Sequence, residues 1–121
     1  MLIALWILNG LLALVFLGAG LMKLARPKAA LASSGMAYVE DFSGTQVKLI
    51  GTVEVIGAVG LLLPLLLDIA PILSPIAAAG LAITMTVATT VHLRRKESPA
   101  PTIVLAVLAT VSAVLGFLVV L

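Results

Sequence analysis

The sequence predicts an all-α fold: a four-helix transmembrane bundle with a short interfacial amphipathic segment between helices one and two. Three observations carry that prediction. The 121 residues are 63% hydrophobic and 10% charged, with a mean hydropathy of +1.33, whereas a soluble domain is nearer half apolar and a quarter charged. The apolar residues fall into four runs of about twenty, the length an α-helix needs to cross roughly 30 Å of hydrocarbon. Charge gathers at the ends of these runs and between them, with Glu54 as the exception. The apolar excess is too large for a buried core, so residues 1–121 read as one integral membrane domain.

Composition also excludes several kinds of chemistry. There is no cysteine, so disulfides, thiol relays and cysteine-ligated metals or clusters are ruled out. A single His rules out a His-rich metal site, and no metal site is expected. The net charge of +2 is not drawn into a long basic run with aromatic platforms, so nucleic acid is not an expected partner.

The first span covers about residues 2–24. It lacks the positive leader and small-residue cleavage site of a signal peptide. Asn9, Phe16 and Lys23 recur at seven-residue spacing and share one face, with Gly20 beside them. Arg26-Pro27 ends the helix, because Pro cannot continue it. Residues 27–42 mix apolar side chains with Lys28, Ser33, Ser34, Glu40 and Asp41. That stretch is too short and too polar to cross a bilayer. It predicts a short amphipathic helix or two turns in the interface, broken near Ser33-Ser34-Gly35, with Leu31, Met36, Tyr38 and Phe42 covering the mouth of the bundle.

The second span, about 47–67, carries Glu54, with Gly51, Gly57 and Gly60 where a neighbouring helix can approach closely. Pro64 stands near its far end, where it can kink the helix. The short turn at residues 67–71 makes spans two and three antiparallel neighbours. Span three covers about 72–93, starting through Ser74-Pro75 and placing Met85, Thr89 and His92 along one face. Arg94-Arg95-Lys96-Glu97 stops it, and Ser98-Pro99-Ala100-Pro101 makes a stiff turn. Span four, about 102–121, has no charge and reads as packing through Ala106, Ala109, Ala113 and Gly116.

All seven basic residues flank the first and last connections, which four spans place on one side, while the other side has only Asp68. The positive-inside rule then predicts a multi-pass protein of a bacterial-type inner (plasma) membrane with both termini outside.

The candidate site follows from the cost of intramembrane charge, about 2.5–3.5 kcal/mol at a helix centre. Glu54 lies about seven residues inside its span and Lys23 about one inside the first, an axial gap of about 9 Å at 1.5 Å per residue. A Lys stem turned inward and a Glu turned outward close most of it, with a water available to bridge the remainder. Glu54 is therefore expected to face the interior near Lys23, His92 or both. The candidate ligand-binding set is Lys23, Glu54 and His92 with Asn9, Met85 and Thr89. The packing set is Gly20, Gly51, Gly57 and Gly60. No catalytic residue is assigned. An ion pair that only fixes helix register is the alternative reading of Lys23 and Glu54.

Three stretches also resemble the DoxX-like family of small membrane proteins: residues 18–24 with Lys23, residues 51–64 with Glu54 and the terminal Pro64, and residues 84–97 with His92 before a basic cluster. The resemblance covers nearly the whole chain and implies a four-helix membrane bundle. The family takes its name from a thiosulfate–quinone oxidoreductase complex. Some relatives are linked to oxidative-stress membrane complexes, and others act as assembly chaperones for membrane receptors. Two functions are therefore weighed. One is a bundle binding a quinone or lipid as a subunit of a membrane redox complex, with quinone as the candidate cofactor. The other is a non-catalytic assembly protein. A transporter is the weakest alternative, since the chain is short and a dual-topology dimer conflicts with its charge asymmetry. The expected partners are the bilayer and a second membrane protein or a second copy of the chain.

Overall fold

Proline, serine and left-handed residues set the boundaries of five α-helices in a computed structural model that describes residues 1–121. Helix α1 (Leu2–Ala25) stops where Arg26, the residue before Pro27, is forced into extended geometry. A short α2 (Lys28–Ser33) ends at Ser34, and a 3-10 helix (Ala37–Asp41) follows beyond Gly35, which has φ +104°. Helix α3 spans Gly44–Leu67. It begins three residues before the expected 47 because Ser43 and Gln46 form a reciprocal cap: Ser43 Oγ accepts from the Gln46 amide and Gln46 Oε1 from the Ser43 amide. Asp68 closes α3 in the left-handed region at φ 52°. Helices α4 (Leu73–Arg94) and α5 (Ala100–Val120) complete the chain.

The four long helices run up and down in a ring, with α1 against α3, α3 against α4, α4 against α5, and α5 returning to α1. Lipid tails are as apolar as leucine, so close backbone approach does much of the work of association. Gly20 and Gly51 face each other between α1 and α3. A Cβ on Gly20 would stand 2.7 Å from the Gly51 carbonyl, and one on Gly51 would stand 2.9 Å from the Gly20 carbonyl. Gly57 and Gly60 serve the α3–α4 contact, against Leu81 and Ala77. The core between the helices is Leu12, Phe16, Leu61, Leu81, Met85 and a set of alanines.

A second, polar element holds the register. Asn9 is fully buried. Its amide donates to the Leu61 carbonyl at 3.0 Å and to Ser74 Oγ at 3.3 Å, while its oxygen accepts from Ser112 Oγ at 2.5 Å. Ser74 also donates to Leu61 at 2.9 Å. Each long helix thus contributes one group to a single closed network. Pro64 lacks the amide that the Gly60 carbonyl would otherwise accept in this turn of α3. The adjacent Leu61 carbonyl is the one that takes the side-chain donors, as expected where proline loosens a helix in the membrane.

Over an apolar 18-residue stretch of each span, only 22–28% of the residues are buried within the bundle. The remainder is apolar and outward-facing, with Ile3, Leu14, Ile56, Ile83 and Leu118 all more than half exposed. Such a surface is stable only in lipid, and the molecule is a multi-pass membrane protein. The interfacial segment has a small core of its own, Leu31 and Val39 against Val47, with Met22, Met36, Tyr38 and Phe42 around it.

Candidate functional site

Lys23 and Glu54 meet directly. Nζ donates to Oε1 at 2.6 Å, with the side chains 4% and 2% exposed. The register explains how they reach each other. With Gly20 opposite Gly51, Lys23 stands near Lys48, whose Nζ donates to the Lys23 carbonyl at 3.0 Å. The Lys23 and Glu54 backbones are then about 9 Å apart along the axis. In a helix every Cα–Cβ bond leans toward the N-terminus. In two antiparallel neighbours, side chains separated in this direction therefore lean toward each other. The glycine contact removes the lateral gap, and the two long side chains close the axial one without a bridging water. Lys48 itself donates to the Lys23, Leu24 and Arg26 carbonyls, capping the end of α1 that presents Lys23.

Only one oxygen of Glu54 is engaged. No sealed side-chain polar atom lacks a partner, so Oε2 reaches open space. That space is a cavity of about 380 Å³ between α3 and α4, lined by Lys23, Glu54, Tyr38, Phe42 and nine other residues, ten of the thirteen being hydrophobic. Leu49 and Val53 of α3, and Ile83 and Val87 of α4, flank it and are 48–67% exposed. The cavity therefore opens sideways, toward lipid.

Its end nearest the basic connections is covered by the 3-10 helix. The Tyr38 ring lies 5.7 Å from Lys23 Nζ, a cation–π distance, and meets the His92 ring edge-on at 5.1 Å. Arg95 fastens this cover. Its guanidinium reaches Asp41 at 2.6 Å, Glu40 at 2.9 Å and Glu97 at 3.2 Å. The hydrogen bond to Asp41, followed by that to Glu97, holds the Arg95 pKa above the already high value of a free guanidinium.

The candidate residues divide between locations. Lys23, Glu54 and Met85 line the cavity. His92 does not: its Nδ1 lies 3.0 Å from Glu97 Oε1, with Tyr38 packed on its ring. A Schellman turn accounts for that pairing, since the Glu97 amide bonds the His92 carbonyl and the Lys96 amide bonds Leu93, with Lys96 at φ 57°. The turn folds Glu97 back over His92. Thr89 faces α5, its hydroxyl 2.8 Å from the Met85 carbonyl and 2.9 Å from Thr102 Oγ1. Asn9 belongs to the polar network nearer the opposite end. Tyr38 shapes the site as part of the cover that the sequence predicts, and Arg95 shapes it without being among the sequence-predicted residues. The signal for Arg95 was available in principle: one arginine after a helix end, with a surplus of acidic residues in the facing segment. Ser74 and Ser112 follow from the rule that a lone Asn in an apolar span must find partners.

Four apolar spans, a polar pair at one end of the bundle and an interfacial cover define a small multi-pass integral membrane protein. Residues 7–115 match the model of the DoxX-like family, and the chain belongs to that family. No curated protein and no solved structure matches it.

Proposed function

We propose that this protein binds a lipophilic ligand with a neutral polar head, a quinone or quinol, in the cavity between α3 and α4. The observation that carries the reading is a buried, self-neutralised ion pair with one free carboxylate oxygen at the wall of an apolar cavity open to lipid. A phosphate head would call for net positive charge, whereas Lys23 and Glu54 cancel. Lys23 would donate to a carbonyl of the head, and Glu54 Oε2 would accept from a hydroxyl. Such a pair can also pass a proton to or from a bound head. A quinone supplies two-electron chemistry when bound. With no cysteine in the chain, the protein would serve as the ligand-holding subunit of a membrane redox complex.

We also propose a bacterial-type inner membrane location, with the basic connections in the cytoplasm and both termini outside. The support is the placement of all seven basic residues at one end of the bundle. The cavity and its cover would then sit in the cytoplasmic leaflet.

The test is quinone binding by the purified full chain, read as a rise in melting temperature. Wild type should be stabilised by quinones and not by phospholipids. The double variant Lys23→Met with Glu54→Leu, which leaves no unpaired charge, should lose that response. An equal response in the double variant removes the site. No response in wild type, together with a tightly co-purifying membrane protein, favours an assembly role instead.

A further inference from the structure

A neighbouring space adjoins the cavity beyond Glu54. A second groove of about 370 Å³ continues along the same α3–α4 seam, lined by Val53, Gly57, Gly60, Pro64, Ala77 and Gly80 among others. Val53 is shared with the first cavity, and the α3 lining residues advance by three or four along one face, from Leu49 to Pro64. From Glu54 to Pro64 the seam runs about 15 Å. Its floor is narrow, because Gly57 packs on Leu81 and Gly60 on Ala77. One glycine in it is unlike these two: a Cβ on Gly80 would meet nothing within 4 Å. The seam is open where Gly80 lies.

We propose that this groove is the tail subsite for a single aliphatic or isoprenoid chain, whose head is held at Lys23 and Glu54. The inference rests on the head-binding reading above and adds the class of ligand: a long-tailed amphiphile, not a free small quinone. Two features select this occupant. The groove adjoins, at Val53, the cavity whose polar pair lies beneath Tyr38 and Phe42, which fits a chain whose head sits below the membrane surface. A phospholipid chain would instead trail from a head at that surface. The seam is also shallow where α3 and α4 touch through glycine and alanine, which suits one chain better than a helix.

The test compares a quinone bearing a decyl tail with the same tail-less headgroup, using the full chain in nanodiscs. The proteins are wild type, Gly80→Leu and, as a matched control, Gly10→Leu. Gly10 also has nothing within 4 Å of a built Cβ and lines a separate groove between α1 and α3. At equal mole fractions in the nanodisc lipid, wild type should bind the tailed ligand severalfold more tightly, since the groove packs the chain against fixed side chains and lipid matches only its apolarity. Gly80→Leu should abolish the preference while leaving headgroup affinity unchanged, and Gly10→Leu should change neither.

A preference that survives Gly80→Leu overturns the tail groove, and loss in Gly10→Leu instead moves the tail to the other face and does the same. Tail-independent binding with a Gly80→Leu-sensitive dimer would assign the seam to a second copy and also refute the proposal. Wild type that binds neither ligand removes the head site, and the tail groove with it. A failed tail groove alone leaves headgroup binding intact, so the two failures are distinguishable.

Discussion

At the residue scale, Lys23 and Glu54 should behave as one unit. Losing either partner leaves a buried charge unpaired, which costs about 3–5 kcal/mol, whereas replacing both with apolar groups is often neutral or stabilising. Lys23→Met and Glu54→Leu should each lower the melting temperature in detergent, and the double variant should melt above both. A double variant as unstable as the two effects added together would show that the pair is not coupled. These two residues were legible in the sequence because a charge inside an apolar run stands out. Their direct contact was not, because the lean of side chains on antiparallel helices is a property of the pair. The helical face of His92 points it toward Glu54 in the sequence. Its partner Glu97 lies beyond the helix end, and only the left-handed turn at Lys96 brings it back.

At the scale of elements, the interfacial segment is held unevenly. Helix α2 is anchored by Leu31 in the small core, whereas the 3-10 helix also depends on Arg95 from the far side of the cavity. Arg95→Ala should therefore speed hydrogen exchange in residues 37–42 while leaving α2 protected. High salt should have the same effect on wild type, since these ion pairs are partly exposed. Unchanged exchange in Arg95→Ala would assign the cover to Tyr38 and Val39 packing alone. Alkali should not act on the latch through Arg95. A group whose pKa is raised on folding contributes stability that is fully present below its unfolded value, and here that value already lies above any ordinary pH. The broken, amphipathic character of this segment could be read from its serines, glycine and alternating polarity. The capping box that lengthens α3 is written in Ser43 and Gln46, but hydropathy does not mark it, because the apolar run begins only at Val47.

At the scale of the molecule, the span count and helix order were legible from hydropathy, since the bilayer fixes helix length. The ring arrangement and the polar network were not, because Asn9 shares a seven-residue stripe with Lys23 on one helix face. Only depth separates them: Asn9 lies level with Leu61, Ser74 and Ser112, and Lys23 with the opposite end of α3. The proposed orientation makes a further prediction. Periplasmic reporters fused at Leu121 should be active, and those inserted in the 98–101 turn inactive. The reverse pattern would invert the topology and place the cavity in the outer leaflet.

The four-helix polar network has a consequence for biosynthesis. Helices leave the translocon in chain order, so Asn9 can meet Leu61 and Ser74 before α5 exists. Its oxygen then waits, without a partner in hydrocarbon, for Ser112, and an orphaned polar group of this kind is costly. The nascent protein thus carries a built-in mark of incompleteness that only α5 erases. A chain released after Pro99 should be cleared by membrane proteases much faster than the full-length protein. Supplying α5 as a separate peptide should rescue it, but not when Ser112 is replaced by Ala. Equal lifetimes for the truncated and complete chains would show that the membrane does not read this mark.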